Sequence, residues 1–180
     1  MSTGEMIQAL IGFGSNLGNG RQLILSAWNR LTVEEEVDPC KFSSLYITKA
    51  VGMTSRFLFT NGVGMVETEL GPLELLRLLL RVETEHGRVR DVHASGYQDR
   101  FLDLDLLYFG DTVCSSPELS LPHPHIASRL FVLAPLAQIA PWFLDPLTGQ
   151  TVAVMYQQLL VQIQQGTVPA QSVSRIERAE

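Results

Sequence analysis

Two aspartates lie inside an otherwise apolar run, FLDLDLLYF at residues 101–109. The run has the length and look of a buried strand, and a carboxylate buried without a partner is costly. Along a strand, residues i and i+2 project from one face, roughly 6.5–7 Å apart. Asp103 and Asp105 so placed can hold a hard cation, or a pair of them, against a ligand. Mg2+ is bound in this way, through one or two carboxylates plus substrate phosphates. Leu102, Leu104 and Leu106 would then face the core. For the strand by itself, a solvated face with two ordinary acids is an equally good reading.

The cations nearby shift that balance. Arg88 and Arg90 follow a helical segment, Arg100 immediately precedes the strand, and His123 and Arg129 lie downstream. Arginine forks match phosphate oxygens two at a time. Carboxylates that hold metal beside phosphate-binding arginines describe phosphoryl transfer, where catalysis is mostly positioning and charge neutralisation. Taken singly, each arginine is more often a solvated surface residue. Phe59 and Phe131 are more often core, yet two aromatics and an amide, Asn61, can also sandwich and read a flat heterocycle. His123-Pro124-His125 has a zinc-like H-x-H spacing, but no third Cys or His is close in sequence.

The elements that must position these residues follow from periodicity and turn chemistry. Residues 8–14 read as a first strand and GSNLGNG at 14–20 as a loop. Residues 21–32 place Ile24, Ala27, Trp28 and Leu31 on one helical face. Residues 41–48 and 61–68 read as strands, the second weakened by two glycines. Residues 72–85 make the clearest helix, with Pro72 in its first turn, Leu76, Leu79, Leu80 and Glu83 along one side, and Gly87 ending it. The polar stretch 88–100 reads as a mobile loop, and 101–109 is the acidic strand. Residues 117–125 carry three prolines and read as a loop. After them come a short turn, an apolar segment broken by Pro135, and a final helix over 152–165. The tail from 166 to 180 is expected to fray. The order β-α-β-β-α-β, with additional C-terminal helices, is that of the ferredoxin-like α+β sandwich with an antiparallel sheet, a fold that hosts many functions.

The 180 residues suffice for one domain with a real core, and 46% apolar with 18% charged residues is a globular composition. A net charge of −6 argues against broad nucleic-acid binding. No apolar run reaches the length of a membrane span, and no secretory signal is read at the N-terminus. Cys40 and Cys114 are isolated, which fits free thiols in a cytoplasmic protein; spacing alone leaves a disulfide open. Neither a P-loop nor a dinucleotide fingerprint occurs.

Together these residues resemble the 6-hydroxymethyl-7,8-dihydropterin pyrophosphokinase family of folate biosynthesis. RFLDLDLLYFG at 100–110 carries its arginine and L-D-L-D-L-L signature. LPHPHIASRLFVLAPLAQIAP at 121–141, GSNLG at 14–18 and ETEHGRVR at 83–90 carry three more. The likeness runs in order from about residue 8 to residue 165, with the chain read as a single domain over 1–180. Some positions depart from the family pattern: Lys49, Ala50, Tyr97, Gln98-Asp99 and His125.

The resemblance implies transfer of pyrophosphate from ATP to the pterin hydroxymethyl group, with release of AMP. It implies two Mg2+ ions on Asp103 and Asp105, and Arg88 and Arg90 on a loop closing over ATP. Glu83, Arg100, His123 and Arg129 would lie with the nucleotide. Phe59 and Phe131 would stack on the pterin, and Asn61, Thr48 and Val51 would meet its edge. Its partners would be these two small molecules, with no nucleic acid or membrane, and a monomer is expected. Two other readings compete: an RNA-binding ferredoxin-like module, which wants exposed aromatics and a basic surface, and an inactive pterin-binding relative.

Overall fold

Strict alternation governs the first strand, β1 (Ile7–Ser15), whose Ala9, Ile11 and Phe13 point to one apolar core and Leu10 to another. The computed structural model describes residues 5–52, 54–88 and 99–176. After β1, Asn19 caps α1 (Gly20–Leu31) by accepting the Gln22 N–H at 3.2 Å. Strands β2 (Val37–Phe42), β3 (Tyr46–Thr48) and β4 (Phe59–Thr68) follow, then α2 (Pro72–Glu85) and β5 (Asp103–Phe109). A two-stranded ribbon, β6 (Cys114–Ser115) with β7 (Ser120–Leu121), leads through a 3-10 turn at Ile126–Ser128 to α3 (Leu130–Ile139) and α4 (Val152–Gln164). The last strand is β8 (Val173–Arg175).

The main sheet runs β5-β1-β4-β3-β8, with β2 also on β4, and every pairing is antiparallel. Counting β2 and β3 as one interrupted strand gives the β-α-β-β-α-β order expected from the sequence. Helices α1 and α2 cover one face, through Ile24, Ala27, Leu31, Leu75, Leu79 and Val82. Helices α3 and α4 cover the other, against Leu10, Val63, Met65 and Tyr108. Each fully buried Leu or Ile contributes about 1.5–3 kcal/mol through removal from water. On the α1 side, Phe13 meets the Trp28 and Phe42 rings at 6.0 and 5.2 Å between centroids.

Several expectations need correction. The strand expected over 41–48 is two strands. Between them the Ser43 hydroxyl takes the Val63 N–H at 2.9 Å and itself donates to the Ser44 carbonyl, so a side chain replaces the ladder there. Pro135 does not break the segment after 130: it lies inside α3, where burial on the second core outweighs one lost N–H. Residues 117–125 include β7 rather than being loop throughout. On α2 the inward stripe is Leu75, Leu78, Leu79, Val82 and Glu83, while Leu76 and Leu80 are half-buried. The tail does not fray over 171–176: β8 pairs with β3, Tyr46 opposite Arg175 and Thr48 opposite Val173.

Other expectations stand. Gly87, at φ +85°, ends α2 in the left-handed region. Leu102, Leu104 and Leu106 are buried on the α2 side. Cys40 and Cys114 are unbridged. Among the described residues, no helix is long and apolar enough to cross a membrane. Most of the 88–100 loop, residues 89–98, lies outside the described residues.

Candidate active site

The acidic strand lies against β1, with Asp103 opposite Gly14 and Asp105 opposite Gly12. On the other side of β1, Gly14 faces Asn61 and Gly12 faces Val63 of β4. Residues opposite one another in a ladder share a face. Asp103, Gly14 and Asn61 therefore form one row across three strands, on the face that α3 covers. The two glycines keep the floor of this row low. A Cβ at Gly14 would stand 3.4 Å from Asn61 Oδ1 and 3.9 Å from the Asp103 Cβ. The alternation of β5 holds as far as Leu107, which shares the face of Asp103 and Asp105, and breaks at Tyr108. There a bulge opposite Leu10/Ile11 shifts the register, and Tyr108 joins Leu107 in the α3–α4 core.

Above this floor lies an open pocket. Phe59, Asn61, Thr48, Val51 and Phe131 line it, with Arg100, Arg129, Asp103 and Asp105. The Asn61 Nδ2 donates to the Thr48 hydroxyl at 2.9 Å, which fixes the amide's orientation. Arg129 stacks over the Phe131 ring at 5.7 Å from its centroid. A second, more polar pocket is lined by Glu83, Arg88, His123, Leu76, Leu80 and again Asp103 and Asp105. The two acids are thus walls common to both pockets.

Their charges are tightly managed. Arg88 Nη1 donates to both Glu83 Oε1 and Asp103 Oδ1, and Arg100 Nη1 lies 3.2 Å from Asp103 Oδ1. Burial works against the Arg88 charge, but Asp103 and Glu83 more than offset it, so its pKa rises. Glu83 is only 1% exposed, and its Oε1 also accepts the Leu104 N–H at 2.8 Å. It stands behind Arg88 and joins α2 to β5. Burial first, then the Asp103 charge, push Asp105 up to about 7, against Arg100 and Arg129. Burial, then Arg129 and His125, lower His123 to about 4, so its ring is neutral at pH 7. The His125 N–H donates to His123 Nδ1 at 3.2 Å, which leaves the ring proton on Nε2.

The sequence reading passed over Asn16, which holds the approach to the acids. Its Oδ1 accepts the Arg100 N–H at 2.8 Å, its own N–H donates to the Arg100 carbonyl at 3.1 Å, and its Nδ2 donates to Asp99 at 2.6 Å. The signal in GSNLG is an amide directly after a strand end, masked by glycines that mark a loop. Lys49 also lines the first pocket.

Residues 10–141 match the family described as 7,8-dihydro-6-hydroxymethylpterin-pyrophosphokinase (HPPK). The 2-amino-4-hydroxy-6-hydroxymethyldihydropteridine pyrophosphokinase of Pseudomonas aeruginosa is 41% identical over 76% of this chain and 83% of that protein. The chain belongs to the HPPK family. The protein of the same name from Bacillus subtilis is 39% identical, over 73% of this chain and 77% of its own length. A solved HPPK-DHPS from Plasmodium falciparum with pteroate superposes at a TM-score of 0.70 and 14% identity, which speaks for the fold alone. It covers 93% of this chain and 45% of that one, so the chain spans about half the length of that structure.

Of the residues expected at the pterin, Thr48, Val51, Phe59, Asn61 and Phe131 line the first pocket together. Arg100 and Arg129, expected with the nucleotide, line that same pocket. Glu83, Arg88 and His123 meet in the second, and the acids belong to both. Arg90 lies outside the described residues.

Proposed function

We propose that this chain, as a single domain, transfers pyrophosphate from ATP to the hydroxymethyl group of 6-hydroxymethyl-7,8-dihydropterin, releasing AMP. The observation that carries the reading is the position of Asp103 and Asp105 as the wall between a flat, aromatic-lined pocket and a polar one. The first pocket suits the heterocycle, with Phe59 and Phe131 against its faces and Asn61, Thr48 and Val51 at its edge. The second suits the triphosphate, met by Arg88 and the Nε2–H of a neutral His123, with Arg100 and Arg129 reaching it from the pterin side and Glu83 steadying Arg88; Arg90 is assigned to the nucleotide by its motif alone.

Two Mg2+ ions would be held by Asp103 and Asp105. The residues fit such ions: two carboxylates share one face, and the pKa of Asp105 is raised by burial and then by the Asp103 charge, a cost to the ionised pair that divalent cations relieve. Bound Mg2+ supplies charge neutralisation at the phosphates. The chain's own part is positioning. Arg88 and Arg100 balance Asp103 and lie within reach of anionic oxygens, and the slot aligns the pterin hydroxyl beside them. We read the protein as a cytoplasmic monomer acting on these two small molecules, with neither nucleic acid nor membrane as partner; unbridged Cys40 and Cys114 support a reducing compartment.

The test is incubation with ATP, Mg2+ and the hydroxymethyl-dihydropterin. AMP and the pterin diphosphate should accumulate in equal amounts. Release of ADP, or no turnover, would remove the assignment.

A further inference from the structure

Beyond the family match, which ends at residue 141, the chain returns to the pterin slot. Gln171 Oε1 accepts the Leu130 N–H at 2.9 Å, and its Nε2 donates to the Ser128 carbonyl at 2.9 Å. Those two backbone groups bracket Arg129 and lie immediately before Phe131. The Leu130 N–H is one of the orphan donors at the start of α3, so Gln171 supplies the partner the helix cannot. Two residues on, β8 pairs with β3, setting Val173 opposite Thr48. The Ile176 N–H then donates to the Leu45 carbonyl at 2.8 Å, and Arg175 Nε to the Ser44 hydroxyl at 2.8 Å. Val173 packs with the α3–α4 core, and Ile176 with the α1–α2 core.

One short segment therefore holds both walls of the slot. Thr48, with its ladder partner Phe59, belongs to one wall; Arg129 and Phe131 belong to the other. At its far end α3 is tied to the same region by Gln138, whose side-chain oxygen accepts from the Ser44 N–H at 2.9 Å and the Tyr46 hydroxyl at 3.2 Å. The near end, which carries Phe131, is tied by Gln171.

We propose that residues 171–176 form a strap that sets the width of the pterin slot, with Gln171 as a positioning residue acting through the backbone around Arg129. The proposal rests on the assignment of the first pocket to the pterin. Without the strap the first turn of α3 loses an anchor, and the two aromatic walls are no longer held at a fixed spacing.

The test compares the wild-type chain with Gln171→Leu, Gln171→Glu and a chain ended after Thr167, each assayed with ATP, Mg2+ and the hydroxymethyl-dihydropterin, and each titrated with the pterin by fluorescence. For Gln171→Leu the pterin KM and Kd should rise about tenfold while kcat stays within about threefold. The truncated chain should show the same shift or a larger one. Gln171→Glu keeps the acceptor for the Leu130 N–H and should fall nearer the wild type. A merely structural role would lower the thermal midpoint and kcat with KM unchanged, and that result overturns the strap, as does equal pterin affinity in wild type and Gln171→Leu. If the truncated chain does not fold, Gln171→Leu decides. A wild type that binds pterin but releases no AMP removes the pyrophosphokinase assignment and leaves the strap to be judged by the titration.

Discussion

Asp103 lies directly across from Gly14 in the ladder between β5 and β1, and the missing side chain leaves the first pocket its floor. A methyl at Gly14 would make ordinary contacts, 3.4 Å from Asn61 and 3.9 Å from Asp103, so the fold should tolerate it. Gly14→Ala should keep the thermal midpoint and raise the pterin KM about tenfold, with Gly14→Val worse, because each group added to the floor displaces the flat ring. Unchanged KM in both variants would show that the ring does not rest there.

Asp103→Asn and Asp105→Asn each remove a carboxylate charge with little change of volume. Turnover should fall by about a thousandfold or more, with circular dichroism unchanged, if these acids hold the ions that neutralise phosphate. Activity within tenfold of wild type in either variant would remove that acid from the metal site.

Asp105 and His123 should shift stability in opposite directions in metal-free protein. Asp105 rises from 3.8 to about 7 on folding, so the native state holds a proton that the unfolded chain has already released. Stability from this group therefore falls as pH rises through that window. His123 drops from 6.5 to about 4, so the unfolded chain takes up a proton first, and stability is lost as pH falls through that window. Relative to wild type, Asp105→Asn should be more stable at pH 8 and lose that advantage near pH 4. His123→Asn should gain toward pH 4. Each effect should be on the order of 1–3 kcal/mol in urea unfolding with a chelator present. Curves parallel to wild type would argue against both assignments.

Glu83 should divide stability from nucleotide binding. Glu83→Ala leaves the buried Leu104 N–H without its acceptor and Arg88 with Asp103 in place of two carboxylates, at a cost of about 1–3 kcal/mol. Glu83→Gln keeps an acceptor for Leu104 but drops the charge that steadies Arg88. It should recover much of the stability while raising the KM for ATP. Equal destabilisation by both variants would contradict this division.

Gly64 should be intolerant of any side chain. Its added Cβ would meet Trp28 Cζ3 at 2.5 Å, inside the aromatic cluster with Phe13. Gly64→Ala should cost about 1–3 kcal/mol by overpacking. A thermal midpoint equal to wild type would show that Trp28 can move aside.

How much of this could be read from sequence depended on how local the cause was. The bounds of α2 are legible, since Pro72 and Gly87 are local signals, but its buried face is not: the leucines run nearly all round the helix, and packing on the sheet selects Leu75 and Leu78 over Leu76 and Leu80. Asp103 and Asp105 were legible through the period of the strand. The break between β2 and β3 was not, because it depends on Ser43 reaching Val63, twenty residues away in sequence. Pro135 misled because local propensity was outweighed by burial on a core assembled from distant segments. The glycines of β4 read as weakness, and the structure shows Gly64 to be the seat of Trp28. Asn16 and Gln171 were missed for a common reason: each acts on backbone far along the chain, and no spacing rule announces such a bond.

The bond from the Leu104 N–H to Glu83 also decides how the edge of the sheet breathes. β5 is the last strand on its side of the main sheet, so its outward N–H has no further strand to bond. The Glu83 carboxylate, carried by α2, takes that donor. The residue that steadies Arg88 thus also pins helix to strand edge, and the loss of Glu83 would show as faster amide exchange along β5 as well as in nucleotide affinity.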